Sequence, residues 1–268
     1  MLWLVDGLFL YLGLLLGVAY FTLFERKVLA AFHLRAGPNK VGFSGWCQPL
    51  ADAIKLFTKE FFIPREASPV AFFWAPSAGM LVTYMLWQFM PLKRTLNFSS
   101  FDVVIFFAVA RLNVYVLMIR GWARNSKYPV LAANRAVAQV ISYEVVITLL
   151  VRCFIMLLKS YNLIRVLKFN GDLWVGVVFP LGTLYWFVLC LAETNRAPFD
   201  FVEAESELVS GYTTEYARRG FALLFISEYG NVVIISYFTV CLLFGCRWET
   251  GQEVGILIKT GLMCYWFI

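Results

Sequence analysis

The chain has 268 residues, of which 61% are hydrophobic and 15% are charged, and its mean hydropathy is +0.73. Soluble domains are about 45–50% apolar and about 25% charged, so this composition excludes a water-soluble globule and predicts an integral membrane protein. An aromatic content of 18% excludes a disordered chain, and the net charge of +6 does not indicate nucleic-acid binding, because the basic residues lie in loops between apolar runs.

Apolar runs near the length needed to cross the ~30 Å hydrocarbon core of a bilayer recur along the chain. They predict an all-α polytopic helical bundle that forms a single membrane domain over residues 1–268. The first run continues into Glu25-Arg26-Lys27 and lacks the basic start and cleavage site of a signal peptide, so we interpret it as a true span. The seven predicted spans cover residues 2–24, 70–90, 101–119, 136–158, 173–191, 221–244 and 254–268.

The basic residues are distributed unevenly between the two sides of this bundle. If all seven runs cross, segments 25–69, 120–135 and 192–220 emerge on one side and hold seven, four and three Lys or Arg residues. The short segments 91–100, 159–172 and 245–253 emerge on the other side and hold two, three and one. The positive-inside rule therefore places the three long loops on the cytoplasm-equivalent side, which is the matrix in a mitochondrion. The short segments are interpreted as connectors.

The first long loop contains an amphipathic segment. From Gln48 to Phe62 the apolar residues recur at spacings of four, three and four, which is typical of one face of a helix. One interpretation is a helix that lies at the membrane interface, and another is a helix that roofs a cavity entered from within the bilayer. The two interpretations are compatible. The apolar positions are Leu50, Ile54, Phe57 and Phe61.

The third long loop is unusually acidic. Asp200, Glu203 and Glu207 are spaced so that a helix would place them on one face, where like charges repel one another. A solvated acidic loop is one reading of this segment. The interleaved apolar residues favour a packed loop that handles protons or cations. Its carboxylates are Glu193, Asp200, Glu203, Glu205, Glu207 and Glu215.

Two carboxylates, Glu144 and Glu228, lie about eight residues inside predicted spans. A charge at the bilayer centre costs at least ~2.5–3.5 kcal/mol, so such a residue usually faces protein or water and marks an ion or substrate path. We interpret both as proton-relay groups, and the alternative is a structural ion pair with Arg111 or Arg152. Three other charged residues of the apolar runs are interpreted as structural: Asp102, Arg152 and Lys259.

Two classes of function fit these residues: a cation- or proton-coupled secondary transporter, and a proton-coupling subunit of a larger redox assembly. Transporters are built from repeats with helices broken at matching positions, and no internal repeat is apparent here. The large charged surface on one side favours docking to soluble partners and hence the redox subunit. The six cysteines contain no C-x-x-C pair and the chain has a single histidine, so we expect no metal site and no cofactor bound by this chain.

Several motifs resemble one known family, NADH-ubiquinone oxidoreductase chain 1, the first membrane subunit of respiratory complex I, together with its bacterial counterparts. The resemblance runs in order from about residue 20 to about residue 240. Its most specific part is the acidic loop. The matching segments are ERK, LRAGPNKVG, QPLADAIKLFTKE, GWARNSKY, RAVAQVISYEV, AETNRAPFDFVEAESELVSGYTTEYA and SEYGN.

The resemblance implies a subunit with eight spans that forms a quinone chamber with the peripheral arm and couples quinone reduction to proton translocation. It implies ubiquinone as substrate, no redox centre in this chain, and NADH, FMN and iron–sulfur clusters in partner subunits. The implied partners are the other membrane-arm subunits, the peripheral quinone-module subunits and the lipid bilayer. The implied location is the mitochondrial inner membrane, in preference to a bacterial plasma membrane.

The resemblance also assigns roles to particular residues of this sequence. The implied quinone-binding residues are Glu25, Arg26, Asp52, Lys55 and Phe225. The implied proton path consists of Glu144, Glu193, Asp200, Glu203, Glu205, Glu207, Glu215 and Glu228. Arg135 and Arg196 are implied to tune the charge of this path.

The sequence departs from the family pattern at two places. Arg111 stands where the family usually has a small or neutral residue, which predicts an extra counter-charge in the third span. The family also continues into a basic loop and an eighth helix, whereas this sequence ends at residue 268. We expect a separately encoded polypeptide to supply them, and the alternative is an incomplete sequence.

Overall fold

The computed structural model of the chain describes residues 2–60, 63–91, 100–172, 174–200, 216, 218–245 and 253–268. The described residues form helices, turns and loops without strands. The predicted all-α membrane bundle is therefore confirmed. The helices are α1 (Leu2–Phe32), α2 (Gln48–Thr58), α3 (Pro69–Gln88), α4 (Asp102–Ala110), α5 (Leu112–Trp122), α6 (Lys127–Leu158), α7 (Leu163–Asp172), α8 (Val175–Val178), α9 (Pro180–Glu193), α10 (Arg218–Thr239) and α11 (Glu253–Phe267).

Two short features complete the helical framework. The single residue between α4 and α5, Arg111, has helical dihedral angles (φ −62°, ψ −25°), so the two helices form one continuous rod. A π-helical segment, Val240–Phe244, extends α10. Within the described part of the chain, four segments are long and apolar enough to cross a bilayer: Pro69–Gln88, Asp102–Trp122, Lys127–Leu158 and Arg218–Phe244.

Helix α10 lies at the centre of the bundle and packs against α1, α3 and α11. Near its end, the Phe238 ring stacks on Phe106 with 4.6 Å between centroids, and both rings are buried. The indole nitrogen of Trp186 donates a hydrogen bond to Thr239 Oγ1 at 3.1 Å, which ties α9 to the same region. Helix α10 also carries Glu228, whose carboxylate faces Arg120 of α5.

Two helices extend beyond the apolar runs that predicted them. Helix α1 continues to Phe32, and α6 begins at Lys127, so Glu25, Arg26 and Arg135 are helical. The long segments 25–69 and 120–135 therefore contain the end of α1 and the start of α6, in addition to the predicted amphipathic helix, which is α2 in the structure. Hydropathy marks only the part of a helix that suits hydrocarbon, whereas the backbone hydrogen bonds continue into the polar region beyond it.

The predicted span 173–191 is broken rather than continuous. Phe179 has φ −126° and ψ 70° and separates the four-residue α8 from the 14-residue α9. Pro180, the first residue of α9, lacks the N–H that would continue the earlier helix and disfavours a helical conformation at the residue before it. Helix α9 then ends at Glu193, so this carboxylate ends a helix and does not lie within a loop.

The segment 159–172, predicted as a connector, contains a packed helix instead. Leu163 and Leu167 of α7 are fully buried, and the Asn170 amide donates hydrogen bonds to Cys241 O at 2.9 Å and Leu242 O at 2.7 Å. Lys259 of α11 donates to Phe244 O at 3.3 Å and Gly245 O at 2.8 Å. These bonds satisfy carbonyl groups of the π-helical segment, in agreement with a structural role for Lys259.

Candidate functional site

A buried ion pair joins the first helix to the start of the acidic loop. Both terminal nitrogens of the Arg196 guanidinium, Nη1 and Nη2, contact the Glu25 carboxylate, and Nη2 lies 3.3 Å from Oε2. Glu25 is 8% exposed. The loop is held in place by Gln139 of α6, whose amide donates to Ala192 O at 3.2 Å and Phe199 O at 2.9 Å. Residues 171 positions apart in sequence thus form one bidentate pair.

Arg196 remains charged in this environment. Burial acts to lower its pKa, but the hydrogen bond and the negative charge of Glu25, together with Tyr229, outweigh burial and raise the pKa above its usual range. The pair is therefore a true ion pair, and the loss of Arg196 would leave the buried Glu25 carboxylate without its counter-charge.

An aromatic row on α10 borders the ion pair. The Arg196 guanidinium lies 5.4 Å from the centroid of the Tyr229 ring. One turn earlier, Phe225 lies 5.9 Å from Tyr229 and 4.4 Å from Phe221, and Phe21 of α1 approaches Tyr229 at 5.6 Å. A row of flat apolar faces beside fixed charges suits a planar ring that also accepts hydrogen bonds. Of the predicted quinone-binding residues, Glu25 thus pairs with Arg196, and Phe225 packs near Tyr229, whose ring lies beside the Arg196 guanidinium.

A second, more exposed ion pair connects α1 to α2. Arg26 Nη1 lies 2.8 Å from Asp52 Oδ2, and Gln48 donates to Asp52 Oδ1 at 3.2 Å. The two charged side chains are 53% and 35% exposed, so the pair contributes only about 0–1 kcal/mol to stability. Lys55 is exposed further along α2 and joins neither pair. The apolar residues Leu50, Ile54 and Phe57 of α2 are also exposed, as expected of a helix whose apolar face meets lipid or another subunit.

A cavity of about 60 Å³ lies between the α4–α5 rod, α6, α9 and α10. Two carboxylates, Glu144 and Glu193, line it together with aromatic side chains that include Phe106 and Trp186. Arg111 Nε lies 3.8 Å from Glu144 Oε2, which is the ion pair that the sequence left open as an alternative. Glu144 thus has both a counter-charge and access to a cavity.

A second cavity of about 40 Å³ adjoins the first, and its lining includes Arg120 and Glu228. Residues Ala110, Asn113, Glu193 and Asn231 line both cavities. Three buried oxygen atoms along these cavities have no hydrogen-bond partner among the described residues: Glu193 Oε2 and Asn231 Oδ1 at the junction, and Asn195 Oδ1 in the smaller cavity. Buried polar atoms of this kind are usually satisfied by water, and each cavity exceeds the ~10–15 Å³ that one water requires.

Arg120 is a site residue that sequence reasoning missed. It was expected to begin a loop, but it lies in the last turn of α5 and is 1% exposed. Its Nη1 lies 3.8 Å from Glu228 Oε1, and its Nη2 donates to Ser227 Oγ at 3.0 Å. The available signal was helical spacing, because Asn113 and Arg120 are seven residues apart and so lie on one face of an otherwise apolar helix.

The remaining predicted residues are not part of this arrangement. Asp200 and Arg135 are exposed, and Arg135 lies on α6 outside the linings of both cavities. Glu203, Glu205, Glu207 and Glu215 lie outside the described residues, so their expected helical face stays a prediction. Across the described ranges, His, Cys, Asp and Glu side chains form no group of three or more suited to a metal ion.

Comparison with known proteins gives consistent matches over most of the chain. A family model described as NADH dehydrogenase matches residues 5–268. NADH-ubiquinone oxidoreductase chain 1 of Aedes aegypti is 44% identical over 234 residues, which are 87% of this chain and 74% of that protein. The protein of the same name from Heterololigo bleekeri is 45% identical over 90% of this chain and 77% of its own length. The one from Branchiostoma lanceolatum is 40% identical over 98% of this chain and 84% of its own length.

Proposed function

This chain belongs to the NADH dehydrogenase family that includes NADH-ubiquinone oxidoreductase chain 1, a membrane subunit of respiratory complex I. We propose that it forms the ubiquinone chamber together with the peripheral arm and couples the reduction of ubiquinone to proton movement along a path through its helices. The observation that carries the proposal is the buried Glu25–Arg196 pair beside the aromatic row of α10. Tyr229 of that row is next in sequence to Glu228, which lines a cavity inside the bundle.

The ion pair and aromatic row suit the chemistry of a quinone. The flat ring of the quinone packs against aromatic faces such as Phe225, and its carbonyl oxygens accept hydrogen bonds from donors such as Arg196. Reduction to the quinol takes up two electrons and two protons, and any group of the chamber that supplies a proton is left more negative until it is reprotonated. The charges of Glu25 and Arg196 stay fixed and interact electrostatically with that changing charge.

The proton path would continue through the two cavities. Tyr229 contacts the Arg196 guanidinium, and the adjacent Glu228 faces the smaller cavity, which meets the larger one at Glu193. A unit charge that appears about 8 Å away changes the energy of a carboxylate by about 2 kcal/mol at an effective dielectric constant near 20. That energy changes proton affinity by more than tenfold, which is enough to move a proton along the path.

The location and partners of the subunit follow from the same proposal. The three long loops would face the mitochondrial matrix, where the peripheral arm docks and partner subunits carry NADH, FMN and the iron–sulfur clusters. Ubiquinone is the substrate and enters from the inner membrane. Exposed apolar side chains along α3, α6 and α9, such as Leu81, Leu149 and Leu184, support burial in lipid or against neighbouring membrane subunits.

Substitution of Glu193 by Gln in the intact complex tests the proposal. We expect NADH:ubiquinone turnover to fall roughly tenfold or more, since general acid–base groups contribute factors of this size or larger, while NADH oxidation by ferricyanide is unchanged. Glu66→Gln serves as the matched control, because Glu66 is exposed between α2 and α3. Normal ubiquinone turnover in Glu193→Gln would count against the proton path. A wild-type chain found outside any NADH-oxidising complex would favour the transporter.

A further inference from the structure

The charges around the two cavities are not equivalent. We propose that two arginines fix the outer carboxylates of the cavities as ions and leave the central carboxyl, Glu193, as the group that takes up and releases the proton. At one end Arg120 fixes Glu228, and at the other end Arg111 fixes Glu144. This inference rests on the proposed proton path and assigns a role to each charge within it.

Charge balance is the first argument. Of the described residues that line the two cavities, Glu144, Glu193 and Glu228 are the acidic ones, and Arg111 and Arg120 are the basic ones. Three carboxylates against two guanidinium groups leave one excess negative charge in a poorly solvated place. One proton neutralises it, and it binds to the carboxyl that lacks a guanidinium neighbour, because a paired carboxylate resists protonation.

The position of Arg120 is fixed by its surroundings. Its guanidinium contacts Glu228 on one side and the Ser227 hydroxyl oxygen on the other, and that hydroxyl donates onward to Leu224 O at 2.7 Å. Helix α3 makes room for the group with a glycine, since a Cβ at Gly79 would lie 2.0 Å from Arg120 Nη2. A cation held so closely is a permanent part of the site.

The other end is held more loosely. Arg111 is 54% exposed and Glu144 is 19% exposed, whereas the Arg120 side chain is 2% exposed. The Arg111 side chain is thus less enclosed by the bundle than the Arg120 side chain. We expect the charge of Glu228 to be the more strongly fixed of the two.

Glu193 differs from both outer carboxylates. It lines both cavities, and its Oε2 is buried without a hydrogen-bond partner among the described residues. The unpartnered amide oxygen of Asn231 lies at the same junction and that of Asn195 lies in the smaller cavity, so water that satisfies all three groups would connect the cavities through Glu193. A proton received from the side of Glu228 can then leave on the side of Glu144.

The test compares three variants in the intact complex reconstituted into liposomes: Arg120→Gln, Arg120→Lys, and Arg120→Gln combined with Glu228→Gln. Arg120→Gln leaves Glu228 to compete with Glu193 for the proton, so we expect NADH-driven proton translocation to fall roughly tenfold, the effect of one pKa unit on an ionised fraction. The double variant also removes the carboxylate that Arg120→Gln leaves unpaired, so we expect its proton translocation to exceed that of Arg120→Gln. Arg120→Lys keeps the positive charge, and we expect its proton translocation to lie between that of Arg120→Gln and that of the wild type.

A second variant displaces the Arg120 guanidinium without removing its charge. Gly79→Ala should push the Arg120 side chain away from Glu228 and reproduce the loss seen in Arg120→Gln. Gly261→Ala in α11 is the matched control, because a Cβ there meets nothing within 4 Å.

The results for the Arg120 variants either support or overturn the role assigned to Arg120. If Arg120→Gln does not assemble but the double variant does, the unpaired charge of Glu228 is the cause and the inference stands. Wild-type translocation in Arg120→Gln overturns it, and so does a double variant that is no better than Arg120→Gln in activity or assembly. Loss of the wild-type chain from the NADH-oxidising complex would instead overturn the proposed function.

Discussion

Solvent exposure decides how much each charged residue of this subunit contributes. The Glu25–Arg196 and Arg26–Asp52 pairs both join helix α1 to a neighbouring segment, but only the first is largely withdrawn from solvent. A buried pair gives little net stability as a whole, yet its disruption is costly, because the remaining charge has neither water nor a partner. An exposed pair loses little, since water replaces the partner.

A residue-scale prediction follows from this difference. Arg196→Gln should destabilise the assembled subunit by about 3–5 kcal/mol, whereas Arg26→Gln, the matched control, should cost about 0–1 kcal/mol. Thermal dissociation of the complex, followed on native gels, measures both. Because the pKa of Arg196 is raised, its stabilising charge is fully present below that range and the difference should not vary between pH 6 and pH 9. Equal losses in the two variants would contradict the argument.

Irregular helices position the site at the scale of elements. Helix α9 begins directly after the interruption at Phe179, and its last residue, Glu193, lies at the junction of the two cavities. The π-helical end of α10 needs side-chain donors for its carbonyl groups, and Asn170 and Lys259 supply them. These donors come from α7 and α11, and they anchor the helix that carries Glu228.

Removal of one such donor gives an element-scale prediction. Asn170→Ala leaves the carbonyl groups of Cys241 and Leu242 without this donor in a buried place, which costs about 1–3 kcal/mol. We expect a lower midpoint temperature for the complex, with NADH oxidation by ferricyanide retained in the fraction that stays folded. Lys168→Ala is the control, because Lys168 is exposed on the same helix. An unchanged midpoint in Asn170→Ala would show that the donor is dispensable.

At the scale of the whole molecule, apolar side chains cover the helical bundle and the ion pairs of α1 lie together on one side of it. Apolar side chains such as Leu16, Met156 and Leu184 are exposed on the bundle, while the Glu25–Arg196 and Arg26–Asp52 pairs lie together where α1 meets α2 and the acidic loop. This asymmetry matches the excess of basic residues in the long loops and supports docking of a soluble arm on that side.

Cysteine labelling tests the orientation at this scale. Cys47 is exposed beside α2 in the first long loop. A membrane-impermeant maleimide should label Cys47 in inverted inner-membrane vesicles stripped of peripheral subunits, and not in right-side-out mitoplasts. Labelling after addition of detergent measures the total available thiol. The opposite pattern would place the long loops on the outer side.

Local properties of the chain determined the class of the molecule. Neighbouring residues alone show the apolar runs of an all-α membrane protein and the family motifs. They also show that Glu144 and Glu228 lie within apolar runs, where a charged side chain costs free energy. Helix ends and the packed α7 were missed or misplaced, because hydropathy does not record backbone hydrogen bonds.

Only the tertiary structure decided which charges meet. Sequence alone left Arg111 and Arg152 as equal candidates for Glu144, and the structure pairs Arg111 with it while Arg152 is exposed. Arg120 lies 108 positions before its carboxylate partner, and nothing in a local pattern reports that distance. Pairing depends on which helix faces are packed together, and that packing is a property of the whole bundle rather than of any one segment.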